Sequence, residues 1–265
     1  VRQGSIASPL FFNVYLNELS IELNESNIGC TINSYNMNHF FYADDSVLLA
    51  PSPKSLQSLI DICSRYAARY ELAFNVKKTK VMCFKPKKLS TIHVPNFILD
   101  GKILDIVTSQ KYLGVFINDQ LTDDDDMYRQ TKCIYAKGNI LVKKFSNCSN
   151  NVKGRLFQSY CTTFYCDQLW CRYKKSSFSK LQSIYNKMIR CLFKLDRTDS
   201  ISAKCIEFKI DCFKVLLRKS VFGFRNRVLD CDNILVKCLT QSQFFYTCVL
   251  NTKWSDMLFC VRTQS

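Results

Sequence analysis

Proline is distributed unevenly along this chain, and that distribution constrains the fold more than any other sequence feature. No proline occurs in residues 96–265, whereas the first 95 residues contain all five: Pro9, Pro51, Pro53, Pro86 and Pro95. Proline interrupts the interior of helices and central strands, because it lacks a backbone N–H and its ring clashes with the preceding turn. The sequence therefore predicts an α+β fold, with turns and strands in the first half and long helices in the second.

Apolar periodicity and turn residues predict the elements of the first half. We expect one helix to start at Ser8-Pro9 and a second to follow Pro53, where apolar residues recur at i, i+3, i+4 and i+7. Asp100-Gly101 is typical of a hairpin turn. Strands are predicted at 39–43, 46–50, 80–84, 93–98, 102–106 and 111–118.

The second half is predicted to contain long helices at 124–147, 151–173 and 177–195. Four consecutive aspartates at 123–126 precede the first of them. We interpret this run as a solvated helix start whose charge opposes the positive end of the helix dipole. A metal site is the less favoured alternative.

The fifteen cysteines are scattered, and none lies in a C-x-x-C pair. Cys161, Cys166 and Cys171 are spaced by five residues. On the predicted helix this spacing would place their sulfur atoms on different faces, so they would not converge on one metal ion. We therefore expect free thiols that behave as small hydrophobic groups in a reducing, intracellular compartment.

Length and composition exclude several classes of protein. A chain of 265 residues with 47% hydrophobic and 22% charged residues is neither disordered nor fibrous, and it can form one large domain or two smaller ones. No apolar run approaches the length of a membrane span, and the first residues do not resemble a signal peptide, so we expect a soluble protein. The chain begins at Val1 and at once enters a patterned segment, from which we expect a fragment.

The positive charge of the chain predicts a polyanionic partner. The formal net charge is +15, and residues 119–265 contain 25 Lys and Arg against 13 Asp and Glu. Basic residues interleaved with Tyr and Phe are candidates for contacts with a nucleic-acid backbone: Lys143, Lys144, Lys153, Arg155, Arg172, Lys174 and Lys175. The alternative for each residue is a solvated helix face over a Phe-rich core.

Two adjacent carboxylates, Asp44 and Asp45, are predicted to lie at a tight turn between apolar strands. Oxygen ligands of this kind suit hard divalent cations, which in phosphoryl transfer work as two ions about 3.5–4 Å apart. Acids are also common in turns for local hydrogen bonding, so the pair alone is weak evidence for a metal site.

Four ordered segments strengthen that evidence. They are Arg2-Gln3-Gly4 before the first helix, Phe41-Tyr42-Ala43-Asp44-Asp45, Phe74-Asn75-Val76-Lys77-Lys78-Thr79-Lys80, and Lys111-Tyr112-Leu113-Gly114-Val115-Phe116. In this order and spacing they resemble the reverse transcriptase domain of non-LTR (LINE-type) retrotransposons, an RNA-directed DNA polymerase. The resemblance covers residues 1 to about 118 and implies a partial polymerase palm there, with a helical thumb and C-terminal region at 119–265.

The resemblance implies a role for each matching residue. Asp44 and Asp45 would be ligands of two Mg²⁺ ions, and Tyr42 would lie near the primer end. Lys78 would donate a proton to pyrophosphate. Phosphate binding or simple solvation is the alternative for Lys78.

Two further segments receive roles in the same way. Arg2, Gln3 and Gly4 would line the nucleotide and template pocket, with Arg2 either contacting phosphate or remaining solvated. Tyr112, Leu113 and Gly114 would form the primer grip, although an apolar core strand would have the same pattern.

The resemblance also implies what to expect of the chain by itself. The family places a further metal-binding Asp and the fingers before the Arg-Gln-Gly segment, so we expect this chain to be inactive alone. Its expected partners are an RNA template, a DNA primer and deoxynucleotides, in the nucleus or cytoplasm, with no membrane. One alternative is a non-catalytic RNA- or DNA-binding remnant, and another is a degraded product that does not fold stably.

Overall fold

The computed structural model describes residues 7–84 and 94–259, which form two compact units. The division falls between Thr108 and Ser109, ten residues before the boundary predicted at 118. Residues 109–118 account for this difference, because they form a hairpin that packs with the second unit. Within the described residues, no helix is both long and apolar enough to cross a membrane.

The first unit combines two long helices with short strands. Its elements are α1 (Ser8–Glu25), β1 (Thr31–Ile32), β2 (Tyr35–Asn36), β3 (His39–Tyr42), β4 (Asp45–Leu48), α2 (Pro53–Arg69), β5 (Lys80–Val81), β6 (Ile98–Leu99), β7 (Lys102–Ile103) and β8 (Asp105–Ile106). β1–β2, β3–β4 and β6–β7 are antiparallel pairs, and β5–β8 is a parallel pair. The α+β prediction is therefore confirmed.

Helices α1 and α2 form where the sequence predicts them. Pro53 opens α2 in the first turn, and the side chain of Ser52 accepts a hydrogen bond from the Ser55 N–H and so caps the helix. The two helices share a core that includes Leu19 and Leu59, both almost completely buried. A fully buried leucine contributes about 1.5–3 kcal/mol, so this apolar stripe holds the helix pair together.

The second unit is mostly helical. Its elements are β9 (Ser109–Tyr112), β10 (Val115–Asn118), α3 (Asp124–Phe145), α4 (Asn150–Cys161), a 3-10 turn (Asp167–Leu169), α5 (Lys175–Phe193), α6 (Ile201–Glu207), α7 (Phe213–Leu229), α8 (Ile234–Gln241), α9 (Gln243–Thr247) and α10 (Val249–Phe259). Helices α3 and α5 form its centre, where Ile134 and Leu141 pack in one cluster with Leu181 and Met188.

The prediction of a single strand at 111–118 is wrong. The chain reverses at Leu113 and Gly114, whose φ angles are +43° and +84°, and β9 pairs antiparallel with β10. Two positive φ values define the type I′ turn that suits the twist of a two-residue hairpin. Glycine adopts this conformation readily, but leucine is rare there, which is why the sequence pattern indicates a continuous strand.

The helix predicted at 151–173 is also wrong beyond Cys161, where α4 ends. Cys166 has a φ of +61°, in the left-handed region, so the helix cannot continue through it. Cys161, Cys166 and Cys171 therefore do not share one helix, and all three are free thiols.

Candidate active site

The candidate metal ligands lie at the tip of the β3–β4 hairpin. Tyr42 pairs with Asp45 across the hairpin, so Ala43 and Asp44 form a two-residue loop, with Ala43 at a φ of +51°. Asp44 and Asp45 are both exposed, and the Tyr42 side chain beside them is 66% exposed. The hairpin thus presents two carboxylates and an aromatic ring to solvent.

Two adjacent carboxylates supply oxygen donors of the kind that hard divalent cations bind. Mg²⁺ usually binds through one or two carboxylates together with water and substrate phosphates, and two exposed carboxylates on a tight turn meet that requirement. Within residues 7–84 and 94–259, no group of three or more His, Cys, Asp or Glu side chains is arranged to hold a metal ion.

A buried amide anchors the base of this hairpin. The Asn38 side chain is 0% exposed, and its Nδ2 donates to Leu23 O at 2.8 Å and to Ile28 O at 2.7 Å. Its backbone oxygen accepts from Leu49 N at 2.8 Å. Asn38 therefore connects the end of α1 and the following loop to both strands of the hairpin.

His39 extends the network from the hairpin to the middle of α1. Its Nδ1 lies 2.8 Å from Asn38 Oδ1, and its Nε2 lies 2.7 Å from Ser20 Oγ. Because Asn38 Oδ1 can only accept, Nδ1 carries the proton and Nε2 accepts from the Ser20 hydroxyl. Burial lowers the pKa of His39, which favours this neutral form.

Gly29 allows the chain to pass close to this amide. A Cβ atom at Gly29 would lie 2.3 Å from Asn38 Cβ and 2.9 Å from Leu49 O, and its φ is +115°. The motif comparison missed Gly29, Asn38 and His39. The glycine was the available signal, because a glycine just after a helix often marks a close approach of two backbone segments.

The remaining motif residues of the first unit are placed as follows. Lys78 is exposed in the turn before β5, and its N–H donates to Asn75 O at 3.0 Å. Lys80 instead forms an ion pair with Asp105 at 2.5 Å. The predicted nucleotide-pocket residues Arg2, Gln3 and Gly4 lie outside the described residues.

The predicted primer-grip residues lie at the tip of the β9–β10 hairpin in the second unit. Leu113 and Gly114 form its two-residue loop, and Tyr112 is the last residue of β9. A Cβ atom at Gly114 would lie 2.9 Å from Cε1 of Tyr165, so the hairpin tip is packed closely against that ring.

Three of the four aspartates at the start of α3 are buried or half-buried and only Asp125 is exposed, which corrects the prediction of a solvated run. Asp126 is 1% exposed, and it accepts hydrogen bonds from Phe116 N at 3.3 Å and from Trp170 Nε1 at 3.0 Å. It also forms an ion pair with Arg129 Nε at 2.7 Å. Asp126 therefore connects the β9–β10 hairpin to α3 and to the loop that precedes α5.

The first two aspartates of the run bind the same loop. Asp123 Oδ2 accepts from Cys171 N at 2.8 Å and Arg172 N at 2.6 Å, while Asp124 Oδ1 accepts from Lys174 N at 3.1 Å. Burial raises the pKa of Asp123, although these two backbone bonds partly oppose the rise. The run is a helix start, as predicted, but the carboxylates of Asp123, Asp124 and Asp126 bind protein groups.

Most of the basic candidates form an exposed set. Six of the seven predicted backbone-contact residues are exposed: Lys143, Lys144, Arg155, Arg172, Lys174 and Lys175. Lys153 differs, because it is 6% exposed and its Nζ lies 5.9 Å from the centre of the Phe193 ring. A lysine buried against a ring is not placed to contact a polymer backbone, so Lys153 does not belong with the exposed set.

Comparisons with known proteins agree with the class of site that these motifs indicate. Residues 1–117 match the family model described as reverse transcriptase (RNA-dependent DNA polymerase). The match covers the hairpin with Asp44 and Asp45, the segment with Lys78 and the hairpin with Gly114. It supports the reverse transcriptase family for this part of the chain.

A curated relative supports the same family. The chain is 27% identical, over 210 residues, to a probable RNA-directed DNA polymerase from transposon BS of Drosophila melanogaster. The similarity covers 72% of this chain and 22% of the relative, so the chain spans about a fifth of the relative's length. No solved structure matches the chain. Both matches name a polymerase, which does not favour the alternative of a purely nucleic-acid-binding protein.

Proposed function

We propose that this chain is a piece of a non-LTR retrotransposon RNA-directed DNA polymerase. Residues 1–118 would be part of the palm, and residues 119–265 would be the thumb and the following region. The observation that carries this proposal is the exposed Asp44-Asp45 pair on a hairpin tip, inside the segment that matches the reverse transcriptase family. The exposed basic residues of the second unit support a nucleic-acid partner.

The reaction would be the attack of a primer 3′-hydroxyl on the α-phosphate of a deoxynucleotide, with release of pyrophosphate. When bound, divalent cations supply charge neutralisation at the reacting phosphate. Asp44 and Asp45 would hold these ions, and the exposed Tyr42 would contact the primer end. Lys78 would protonate the leaving pyrophosphate, a role that suits its exposed position in a turn.

We also propose that the chain alone does not catalyse this reaction. Among residues 7–84 and 94–259, no third acid joins Asp44 and Asp45 in a group that could hold a metal ion, and two ions that share only this pair would be held weakly and poorly positioned. The basic residues would still bind an RNA–DNA hybrid without sequence preference.

A metal titration tests the site directly. Mn²⁺ binding to the purified chain, followed by electron paramagnetic resonance, is expected to be weak and to disappear in the double variant Asp44→Asn, Asp45→Asn. A matched double variant at exposed acids of the same unit, Asp61→Asn and Glu71→Gln, is expected to bind Mn²⁺ like the wild type. Unchanged Mn²⁺ binding in the Asp44 and Asp45 variant would overturn the assignment of the site.

Primer extension tests the proposed inactivity. The purified chain, supplied with Mg²⁺, an RNA template and a DNA primer, is expected to bind the hybrid but to add no nucleotide. Incorporation that disappears on Asp44→Ala would show that the chain is competent alone and would contradict this part of the proposal.

A further inference from the structure

A cavity in the second unit has no counterpart among the motifs described above. It has a volume of about 390 Å³ and lies between the first turns of α5, the start of α7 and the end of α10. Its lining residues all follow residue 117, where the match to the reverse transcriptase family ends. Neither the family match nor the relative's name assigns a function to this cavity.

The charge around the cavity selects an anionic occupant. Lys175 of α5, Lys214 and Arg218 of α7, and Lys253 of α10 line it, together with a single acid, Asp256. Three of these cations and the acid are exposed, and Lys253 is half-buried. Within the described part of the chain, no ion pair neutralises the three lysines. The lining thus contains four cations and one carboxylate, and this excess of positive charge suits the binding of phosphate groups.

The floor of the cavity is apolar and partly aromatic, so it favours an occupant that also has a flat, apolar part. Leu217 is 3% exposed, and the half-buried Phe178 and Met257 lie beside it in the lining. The rings of Tyr173 and Phe178 stack with their centres 5.5 Å apart and their planes at 14°. Lys253 Nζ lies 4.9 Å from the centre of the Tyr173 ring, so cationic and aromatic groups adjoin at one place.

We propose that this cavity binds one unpaired nucleotide of an RNA strand. The base would lie against the apolar floor at Phe178, Leu217 and Met257, and the flanking phosphates would contact the lysines and Arg218 at the rim. Aromatic stacking combined with cations is how proteins hold unpaired bases without reading their sequence. The inference rests on the proposed function, which it deepens by adding a site for unpaired RNA to the general affinity for a hybrid duplex.

The shape of the cavity distinguishes this occupant from others that carry phosphate. A continuous duplex keeps the flat faces of its bases stacked inside and presents its backbone and the polar edges of its bases, so it would leave the apolar floor uncovered. A bilayer presents a broad surface of headgroups, which fits a flat basic face better than a concave cavity. An unpaired nucleotide supplies both the anion and the flat apolar group.

A pair of labelled RNA hairpins tests the proposal. They are identical except for one bulged uridine, and their binding to the purified full chain is measured by fluorescence anisotropy. The chain is expected to bind the bulged RNA about 5- to 150-fold more tightly than the fully paired RNA, the range for one stacked base. The double variant Lys214→Ala, Lys253→Ala is expected to lose this preference.

The matched control changes the same charge elsewhere on the unit. The double variant Lys143→Ala, Lys144→Ala alters two exposed lysines at the end of α3. It is expected to weaken the binding of both hairpins equally and to keep the preference for the bulge. Near-ultraviolet circular dichroism confirms that each variant is folded before its binding is compared.

Several outcomes would overturn the inference. Equal affinity of the wild type for both hairpins would do so, as would a preference that survives in the Lys214 and Lys253 variant. A bulged DNA hairpin bound as tightly as the bulged RNA would remove the restriction to RNA. Binding to phosphatidylserine vesicles that depends on the same two lysines would replace the nucleotide with a membrane surface.

These failures differ from a failure of the proposed function. The proposed function fails if Mn²⁺ binding does not depend on Asp44 and Asp45. Those residues are in the first unit and the cavity is in the second, so the two tests are independent. A chain that keeps its Mn²⁺ site and binds a hybrid, but treats both hairpins alike, would retain the polymerase assignment and lose only the nucleotide cavity.

Discussion

At the scale of single residues, Asn38 supports the hairpin that carries the candidate metal ligands. Its side-chain amide donates hydrogen bonds to two backbone carbonyls outside the hairpin, and its backbone oxygen accepts one from Leu49 N. A side chain of this kind matters because each buried polar group left unpaired costs about 1–3 kcal/mol. The aspartates at the tip contribute little to this support, since both are exposed.

The first prediction concerns Asn38→Ala. This change leaves Leu23 O and Ile28 O without their amide partner, so we expect the free energy of unfolding to fall by about 2–4 kcal/mol. Urea denaturation measures the change. Asn36→Ala is the matched control, because Asn36 makes one exposed bond to Asn24 O, and we expect a loss below about 1 kcal/mol. Equal losses for the two variants would contradict the anchoring role of Asn38.

The second prediction concerns pH. Burial lowers the pKa of His39 in the folded chain, so the unfolded chain binds more protons at mildly acidic pH. The stability contributed by neutral His39 is therefore present at neutral pH and is lost as the pH falls below its ordinary value of about 6.5. Urea denaturation at pH 7.5 and 5.5 is expected to show that the wild type loses more stability, or gains less, than His39→Gln as the pH falls.

The control for this prediction must account for Asp167. Burial raises the pKa of Asp167 to about 6, so its contribution has the opposite sign and favours the folded chain as the pH falls. The difference between the wild type and His39→Gln isolates the histidine, because Asp167 is present in both. His93→Asn, which removes the other histidine, serves as the control; a pH dependence that disappears in that variant instead would contradict the assignment to His39.

At the scale of secondary-structure elements, the acidic start of α3 joins three parts of the second unit. Asp126 accepts from the β9–β10 hairpin and from Trp170, and Asp123 accepts from the backbone at Cys171 and Arg172. The two Asp123 bonds occupy backbone N–H groups of Cys171 and Arg172, which a helix through 162–173 would have paired internally. The acidic run therefore explains both the placement of the predicted primer grip and the irregular loop before α5.

The third prediction concerns this junction. Asp126→Ala removes the carboxylate that accepts hydrogen bonds from Phe116 N, Trp170 Nε1 and Arg129 Nε. Because the Arg129 charge also loses its partner, we expect the free energy of unfolding to fall by about 3–5 kcal/mol. Hydrogen exchange at the Phe116 amide is expected to accelerate at the same time. Asp125→Ala is the control, since exposed Asp125 makes one side-chain bond to Asn118. An Asp126→Ala variant as stable as the control would contradict the role of Asp126.

The fourth prediction compares two helical glycines. A Cβ atom at Gly138 of α3 would lie 2.5 Å from Sδ and 2.7 Å from Cγ of the buried Met188 in α5. Overpacking of this kind costs about 1–3 kcal/mol, which exceeds the gain of about 1 kcal/mol in helix propensity. We therefore expect Gly138→Ala to lower the melting temperature.

The matched variant is Gly223→Ala in α7. Its Cβ would meet only Arg227 Nη1, at 3.6 Å, which is ordinary contact. Helix propensity then decides the outcome, and we expect stabilisation by about 0.5–1 kcal/mol. A rise in melting temperature for both variants would show that α5 moves away from α3 more easily than this close packing implies.

At the scale of the whole molecule, the two units differ in charge. Residues 109–265 contain 26 Lys and Arg against 13 Asp and Glu, whereas residues 1–108 contain 11 against 9. Several acids of the second unit are engaged within it by bonds such as that of Asp126. The exposed basic residues therefore keep their charge available to a polyanion. This distribution supports the assignment of nucleic-acid binding to the second unit.

The fifth prediction follows from that charge. Affinity of the full chain for an RNA–DNA hybrid is expected to fall by about 10³-fold or more between 50 and 200 mM salt, as for proteins with 6–10 phosphate contacts. Fluorescence anisotropy across a salt series measures the slope. An affinity that does not change with salt would contradict binding through the basic residues.

Sequence reasoning predicted the elements whose signals are local. Helices α1 and α2 follow a proline and an apolar stripe, and the Asp100-Gly101 turn has the two positive φ values that its residues favour. A turn was also predicted at Asp44-Asp45, but the two-residue loop is Ala43-Asp44, one residue earlier, and Asp45 begins β4. Each of these features depends on residues within about one or two helical turns of each other.

The features that sequence reasoning missed depend on distant partners. Leu113 adopts a positive φ because the β9–β10 hairpin is bonded to α3 and packed against Tyr165, and nothing in its own type indicates a turn. Lys153 has the pattern of a surface cation, but the fold buries it against Phe193.

By itself, the sequence determined the α+β class, most of the long helices, the basic second half and the place of the aspartate pair near a hairpin turn. Only the tertiary structure decided that Asn38 anchors the hairpin of that pair, that the acidic run binds backbone instead of solvent, and that four cations surround one apolar cavity. The physical reason is that helix and turn preferences act between neighbours in the chain, whereas burial and the pairing of buried polar groups depend on residues that only folding brings together.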